Sequence, residues 1–144
     1  MSDARSKMMR HTFWLPTSSG AVSAARRATV SILKTFGVAP GTSFVDGVVL
    51  IVCELVANTV RHAADRSPTV EVVLIAGDGR VVIEVADQDP AIPSITTGRG
   101  LLTILELAEE YGGTLSVTPA PRGGGKIMRV LLPLPNTRAS QPGY

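Results

Sequence analysis

Between Thr42 and Ala64 the chain carries its most extended helical pattern. Val45, Val48, Val49, Val52, Leu55, Val56 and Ala63 recur at three- and four-residue spacing, and Thr42 or Ser43 stands where a side chain can cap the first turn. At about 100° per residue, Glu54, Asn58, Arg61 and His62 fall within one arc, flanked by Leu50, Ile51, Cys53 and Ala57. A helix that is apolar nearly all round belongs in a core, so everything else must pack around it. Its single polar arc has two readings. In one, Glu54 and Arg61 are rim charges, Asn58 a satisfied amide and His62 a residue favouring the negative end of the helix dipole. In the other, the four line one wall of a pocket.

At 144 residues the chain predicts one domain with a well-buried core. Because only 4% of residues are aromatic against 44% hydrophobic, aliphatic side chains must fill that core. A net charge of +2, dispersed and without interleaved aromatics, argues against a nucleic-acid interface. Cys53 has no second cysteine to pair with and lies on the apolar helix, which predicts a core thiol in a reducing compartment. No uninterrupted apolar run reaches the ~18 residues of a membrane span, and a signal-peptide pattern is absent from the start, so a cytoplasmic protein without membrane contact is expected.

The remaining elements follow in order. Residues 1–9 are expected to form a disordered tail, 10–135 one domain and 136–144 a second tail. His11 to Pro16 alternates as a first strand. Thr17, Ser18 and Ser19 are N-cap candidates for a helix through Phe36, with Val22, Ala25, Thr29, Ile32, Leu33 and Phe36 facing inward and Arg26 and Arg27 outward. After the central helix, Thr69 to Ile75 and Arg80 to Ala86 read as a hairpin joined through Gly77, Asp78 and Gly79. Asp87 to Thr97 is an irregular connection rich in turn formers. Gly98, Arg99 and Gly100 open a helix from Leu101 to about Tyr111, with Leu101, Leu102, Ile104, Leu105 and Ala108 inward. A glycine-opened helix start is approachable by an anion, though a simple turn explains it equally. Thr114 to Thr118 and Lys126 to Leu132 close the chain as a strand pair. Gly123 to Lys126 lacks the spacing and the hydroxyl of a phosphate loop and leads into a strand, so it reads as a hairpin connection.

Strand, helix, helix, hairpin, loop, helix, hairpin is an order in which helices and strand pairs segregate. It predicts an α+β two-layer sandwich, a mostly antiparallel mixed sheet covered on one face by three helices. The polar arc, the Asp87 loop and the Gly98 helix start then border one cavity.

Three segments carry a family resemblance: ELVANTVRHA (Glu54 to Ala63), EVADQDP (Glu84 to Pro90) and GRGLLTILELAEEYG (Gly98 to Gly112). In this order they resemble the N, G1 and G2 boxes of the GHKL (Bergerat-fold) ATPases, which include gyrase, bacterial histidine kinases and a mismatch-repair ATPase. Within that superfamily the chain is most similar to the small anti-sigma-factor serine/threonine kinases. The resemblance implies ATP and Mg²⁺ as cofactors. Asn58 would hold the metal through its side-chain oxygen, which suits a hard cation shared with phosphate. Glu54 would act as base or orienter for an attacking hydroxyl. Arg61 and His62 would line the phosphate end, Asp87 would accept from the adenine amino group, and Gly98, Arg99 and Gly100 would bring backbone N–H groups to the phosphates.

Two departures stand out. Gln88, Asp89, Pro90 and Ala91 replace the glycines usual after the G1 aspartate, placing a carboxylate at Asp89 where it would repel phosphate. Lys126 or Ile127 replaces the threonine that helps hold adenine. The implied function is a kinase that binds a sigma factor and phosphorylates an anti-anti-sigma partner, as a homodimer by analogy with its relatives. The sequence shows no phosphoacceptor-histidine helix pair, so the substrate would come from a partner. The rivals are a non-catalytic interaction module of the same fold and a plain ATPase.

Overall fold

A computed structural model describes residues 8–39, 41–91, 99–121 and 124–135, with Arg99 described in its backbone only. Five strands and three helices alternate as β1 (Met9–Pro16), α1 (Ala21–Thr35), α2 (Ser43–Ala63), β2 (Thr69–Gly77), β3 (Arg80–Asp87), α3 (Arg99–Glu110), β4 (Thr114–Pro119) and β5 (Lys126–Pro133). The expected first strand therefore starts at Met9, two residues earlier than its apolar pattern suggests. Met8 before it is exposed and outside any element, and residues 1–7 and 136–144 of the expected tails lie outside the described residues.

The sheet order is β1-β2-β3-β5-β4, and every pairing is antiparallel. Both hairpins expected from local sequence are present, the first turning on Asp78 and Gly79 between Gly77 and Arg80. Strand alternation puts Val70, Val72 and Leu74, Val81, Ile83 and Val85, and Met128, Val130 and Leu132 against the helices, all buried. The α+β sandwich with three helices on one face is thus the observed fold, but the sheet expected to be mixed is purely antiparallel among the described residues.

The central helix is α2, capped as expected by the Thr42 hydroxyl, which accepts from Val45 N–H at 3.2 Å. Thirteen of its residues are buried, with Val48, Ile51, Val52, Leu55 and Val56 fully so. By length and composition α2 could cross a membrane, but here 67% of that stretch is buried inside the domain as its core helix. Truncating Leu55 to alanine costs about 2–5 kcal/mol.

Helix α1 is not capped by Thr17, Ser18 or Ser19. Gly20 occupies the N-cap without a side-chain bond, because Thr17 is used elsewhere: its hydroxyl donates to the Ser67 carbonyl at 2.6 Å and its N–H to that of Pro68 at 3.0 Å, tying β1 to the α2–β2 connection. Helix α3 runs antiparallel to α2. At its C-terminal end the Tyr111 hydroxyl donates to the Ser43 carbonyl at 2.8 Å, and the ring meets Phe44 edge-on at 5.5 Å. Leu101, Ile104 and Ala108 face the core as expected, Leu105 is half-buried, and Leu102 is exposed, lying almost opposite Ile104 around the helix.

Candidate functional site

The polar arc of α2 divides between two neighbours. Glu54 and Arg61, two helical turns apart, both reach the first turn of α3. A Cβ built on Gly100 would lie 2.7 Å from Glu54 Oε1 and 3.1 Å from Arg61 Nη2. Gly100 is therefore needed for close approach of these side chains, a reason distinct from the phosphate contact the sequence suggests. It also lies within α3, which begins at Arg99 and not at Leu101. Glu54 is half-buried while Arg61 stays exposed, so a shielded carboxylate and a solvated guanidinium share one helix start.

Asn58 turns the other way. It is buried, and its Nδ2 points at Met128 Sδ, 3.9 Å away between helix and sheet, a weak acceptor. His62 is exposed at the last turn of α2. Gly98 lies outside the described residues, and Arg99 is placed by its backbone alone.

Asp87 ends β3 at 7% exposure and collects three donors. Oδ2 accepts from Thr59 Oγ1 at 3.1 Å; Oδ1 accepts from Asp89 N–H at 2.9 Å and from Lys126 Nζ at 3.0 Å. Lys126 also donates to the Asp89 carbonyl at 3.0 Å. Thr59 and Lys126 were not legible as a pair of partners for Asp87: Thr59 sits beside Asn58 on α2, and Lys126 reaches Asp87 only through the β3–β5 register that sets them opposite each other.

The Asp89 carboxylate is engaged within its own loop. It folds back to accept from Ala91 N–H at 3.0 Å, an Asx turn that shapes its own loop. Gln88 N–H is held by the fully buried Ser67 hydroxyl at 2.9 Å. A hollow of about 500 Å³ is lined by Trp14, Glu71, Ala86, Asp87, Gln88 and Ile127, and neither Glu54 nor Asn58 borders it. Among the described residues no cluster of three or more His, Cys, Asp or Glu forms a ready metal cage. Asn58 alone on the arc, through its side-chain oxygen, is a ligand of the kind that Mg²⁺ uses together with water and phosphate, while Glu54 is turned toward Gly100.

Cys53 is buried as expected. Burial chiefly pushes its thiol up from the ordinary value, Arg26 opposes this and Glu54 reinforces it, so it is a core group and not a nucleophile.

A three-helix layer over an antiparallel sheet, with acid, amide and guanidinium on the core helix, defines a two-layer α+β domain with polar groups on its buried helix. A solved histidine kinase domain, from the blue-light activated histidine kinase of Erythrobacter litoralis, superposes with a TM-score of 0.55 at 20% identity, over 83% of this chain. The chain spans 62% of that one's length. The model of the histidine kinase-like ATPase domain family matches residues 15–129, and the chain belongs to that family. Membership ties the domain to ATP binding.

Proposed function

We propose that the protein is an ATP- and Mg²⁺-dependent regulatory kinase of the anti-sigma-factor kind, cytoplasmic, which binds a sigma factor and phosphorylates a serine on an anti-anti-sigma partner. The convergence of Glu54 and Arg61 on the first turn of α3 carries this reading. Phosphoryl transfer asks for little covalent chemistry from the protein. It needs a base at the nucleophile, positive charge at the phosphates and a rigid frame.

The frame here is the buried α2, packed against α3 at both ends. Glu54, half-buried, takes the proton of the partner's serine hydroxyl. Arg61 supplies charge at the open side, where His62 also stands, and the helix start at Arg99 and Gly100 offers backbone N–H groups to phosphate oxygens. Mg²⁺, which when bound neutralises charge on the transferring group, would be held by the Asn58 side-chain oxygen, the Nδ2 of that amide facing Met128.

Titration with Mg·ATP tests the reading. A true binder gains about 2–3 kcal/mol of stability at a hundredfold excess over Kd, and transfer of labelled phosphate to a serine-bearing partner protein identifies the kinase. Phosphate release without a protein acceptor indicates a plain ATPase. One observation favours the non-catalytic module instead: Asp87, the expected adenine contact, is covered by Lys126.

A further inference from the structure

Lys126 lies directly opposite Asp87 in the β3–β5 register. The approach is enforced by Gly125, where any Cβ would collide with the Asp87 carbonyl oxygen and Gln88 Cα. Both side chains are withdrawn from water, at 5% and 3% exposure. A carboxylate offers about four lone-pair sites. Three are occupied here, one of them by a cation that also holds the Asp89 carbonyl and so locks the loop after β3.

A nucleobase amino group is a neutral donor. On an ionised carboxylate both donors make a charge-assisted hydrogen bond, but only the ammonium adds an ion pair in a site withdrawn from water, so the neutral group cannot displace it on equal terms. Displacement would also expel Lys126 from a site where its partner is left as an uncompensated buried charge. The contact from which adenine specificity is expected is therefore already made, within the chain.

We propose that Lys126 is an internal occupant of the base subsite: its ammonium takes on Asp87 the place of a nucleobase amino group, and this chain selects its nucleotide by the triphosphate, not by the base. The inference rests on the nucleotide-binding reading above and deepens it. A site that reads a donor group rejects ligands lacking it, and a site whose reader is already satisfied loses that discrimination.

The test is equilibrium binding of Mg·ATP, Mg·GTP and Mg·tripolyphosphate to the full chain and to Lys126→Thr. Expected are ATP and GTP affinities within about threefold in the native chain, with tripolyphosphate competing against both, and a gain of about tenfold or more for ATP alone in Lys126→Thr. A native preference for ATP of about tenfold, or a loss of ATP affinity in Lys126→Thr, overturns the proposal. If only the variant binds ATP, the occupant reading stands and the kinase reading falls. If a folded variant and the native chain both bind no nucleotide, both fall.

Should Lys126→Thr not fold, amine labelling of the native protein decides, with Lys34 as internal reference. Lys126 is expected to label far more slowly than Lys34, with and without saturating ATP. Labelling of Lys126 at the rate of Lys34, free or on adding ATP, overturns it.

Discussion

The Thr59 hydroxyl donates to Asp87 Oδ2 at 3.1 Å, joining the core helix to the end of β3 inside a dry environment. Removing a donor from a buried charged acceptor costs more than the bond's net worth, because the acceptor stays behind unsolvated. Thr59→Val should therefore lower stability by about 1–3 kcal/mol despite preserving shape, whereas Thr59→Ser should retain most of it. Urea unfolding of the three proteins measures the difference.

Glu54 and Asn58 are one turn apart but point to different neighbours, so their loss should separate transfer from binding. Glu54→Ala should lower phosphate transfer by about 10²–10⁴-fold with ATP still bound. Asn58→Ala should weaken Mg·ATP binding itself. Single-turnover transfer and calorimetric titration distinguish the two, and undiminished transfer in both variants would remove the kinase reading.

Gly100→Ala separates positioning from stability. The atoms that the new methyl meets, Glu54 Oε1 and Arg61 Nη2, are the ends of flexible side chains, so the fold can yield. Alanine is favoured over glycine in helices by up to ~1 kcal/mol, so the melting temperature should hold or rise. Yet Glu54 must move, and a shift on the order of 1 Å at a reacting group costs about 10²-fold in rate. A variant that melts no lower but transfers phosphate far more slowly is the expected result; full activity would show that Glu54 is not positioned by this contact.

How much of this was legible follows the reach of each signal. The Thr42 cap, the two hairpins and the buried face of α2 depend on residues close in sequence, and the apolar periods announce them. The Thr17 to Ser19 cap fails because a hydroxyl is assigned by local pattern while Thr17 spends its bonds on Ser67 and Pro68, some 50 positions away. Leu102 misleads because an apolar residue beside a buried stripe need not join it. The Lys126–Asp87 pair spans 39 positions and depends on β5 docking beside β3, and no spacing rule encodes that. The arc on α2 was therefore readable as a set of positions, while the turn of Asn58 toward Met128 and the partners of Asp87 at the ends of β3 and β5 were not.

Cys53 gives the protein an alkaline signature. Its folded thiol is held above the ordinary 9.0, chiefly by burial. Below that pH the thiol is neutral in folded and unfolded chains alike and its contribution is intact. As pH rises past it, the unfolded chain ionises first, so stability falls until the folded thiol titrates too. Stability should therefore decline less steeply above pH 9 in Cys53→Ala than in the native chain, whatever the offset between them at pH 7. Equal slopes in denaturant titrations across that range would contradict the assignment.

Thr29 offers the opposite test, a substitution that should help. It sits fully buried on α1, and its Oγ1 is without a hydrogen-bond partner among the described residues. A hydroxyl taken out of water without a partner carries a penalty of about 1–3 kcal/mol, and Val fills nearly the same volume with a methyl in place of the oxygen. Thr29→Val should accordingly raise stability by about 1 kcal/mol, a few degrees in melting temperature for a domain of this size. Thr29→Ala removes the same hydroxyl but leaves a void, so it should fall below the valine variant. If valine destabilises as much as alanine, the hydroxyl has a partner in solution, such as a buried water, and α1 is anchored through it.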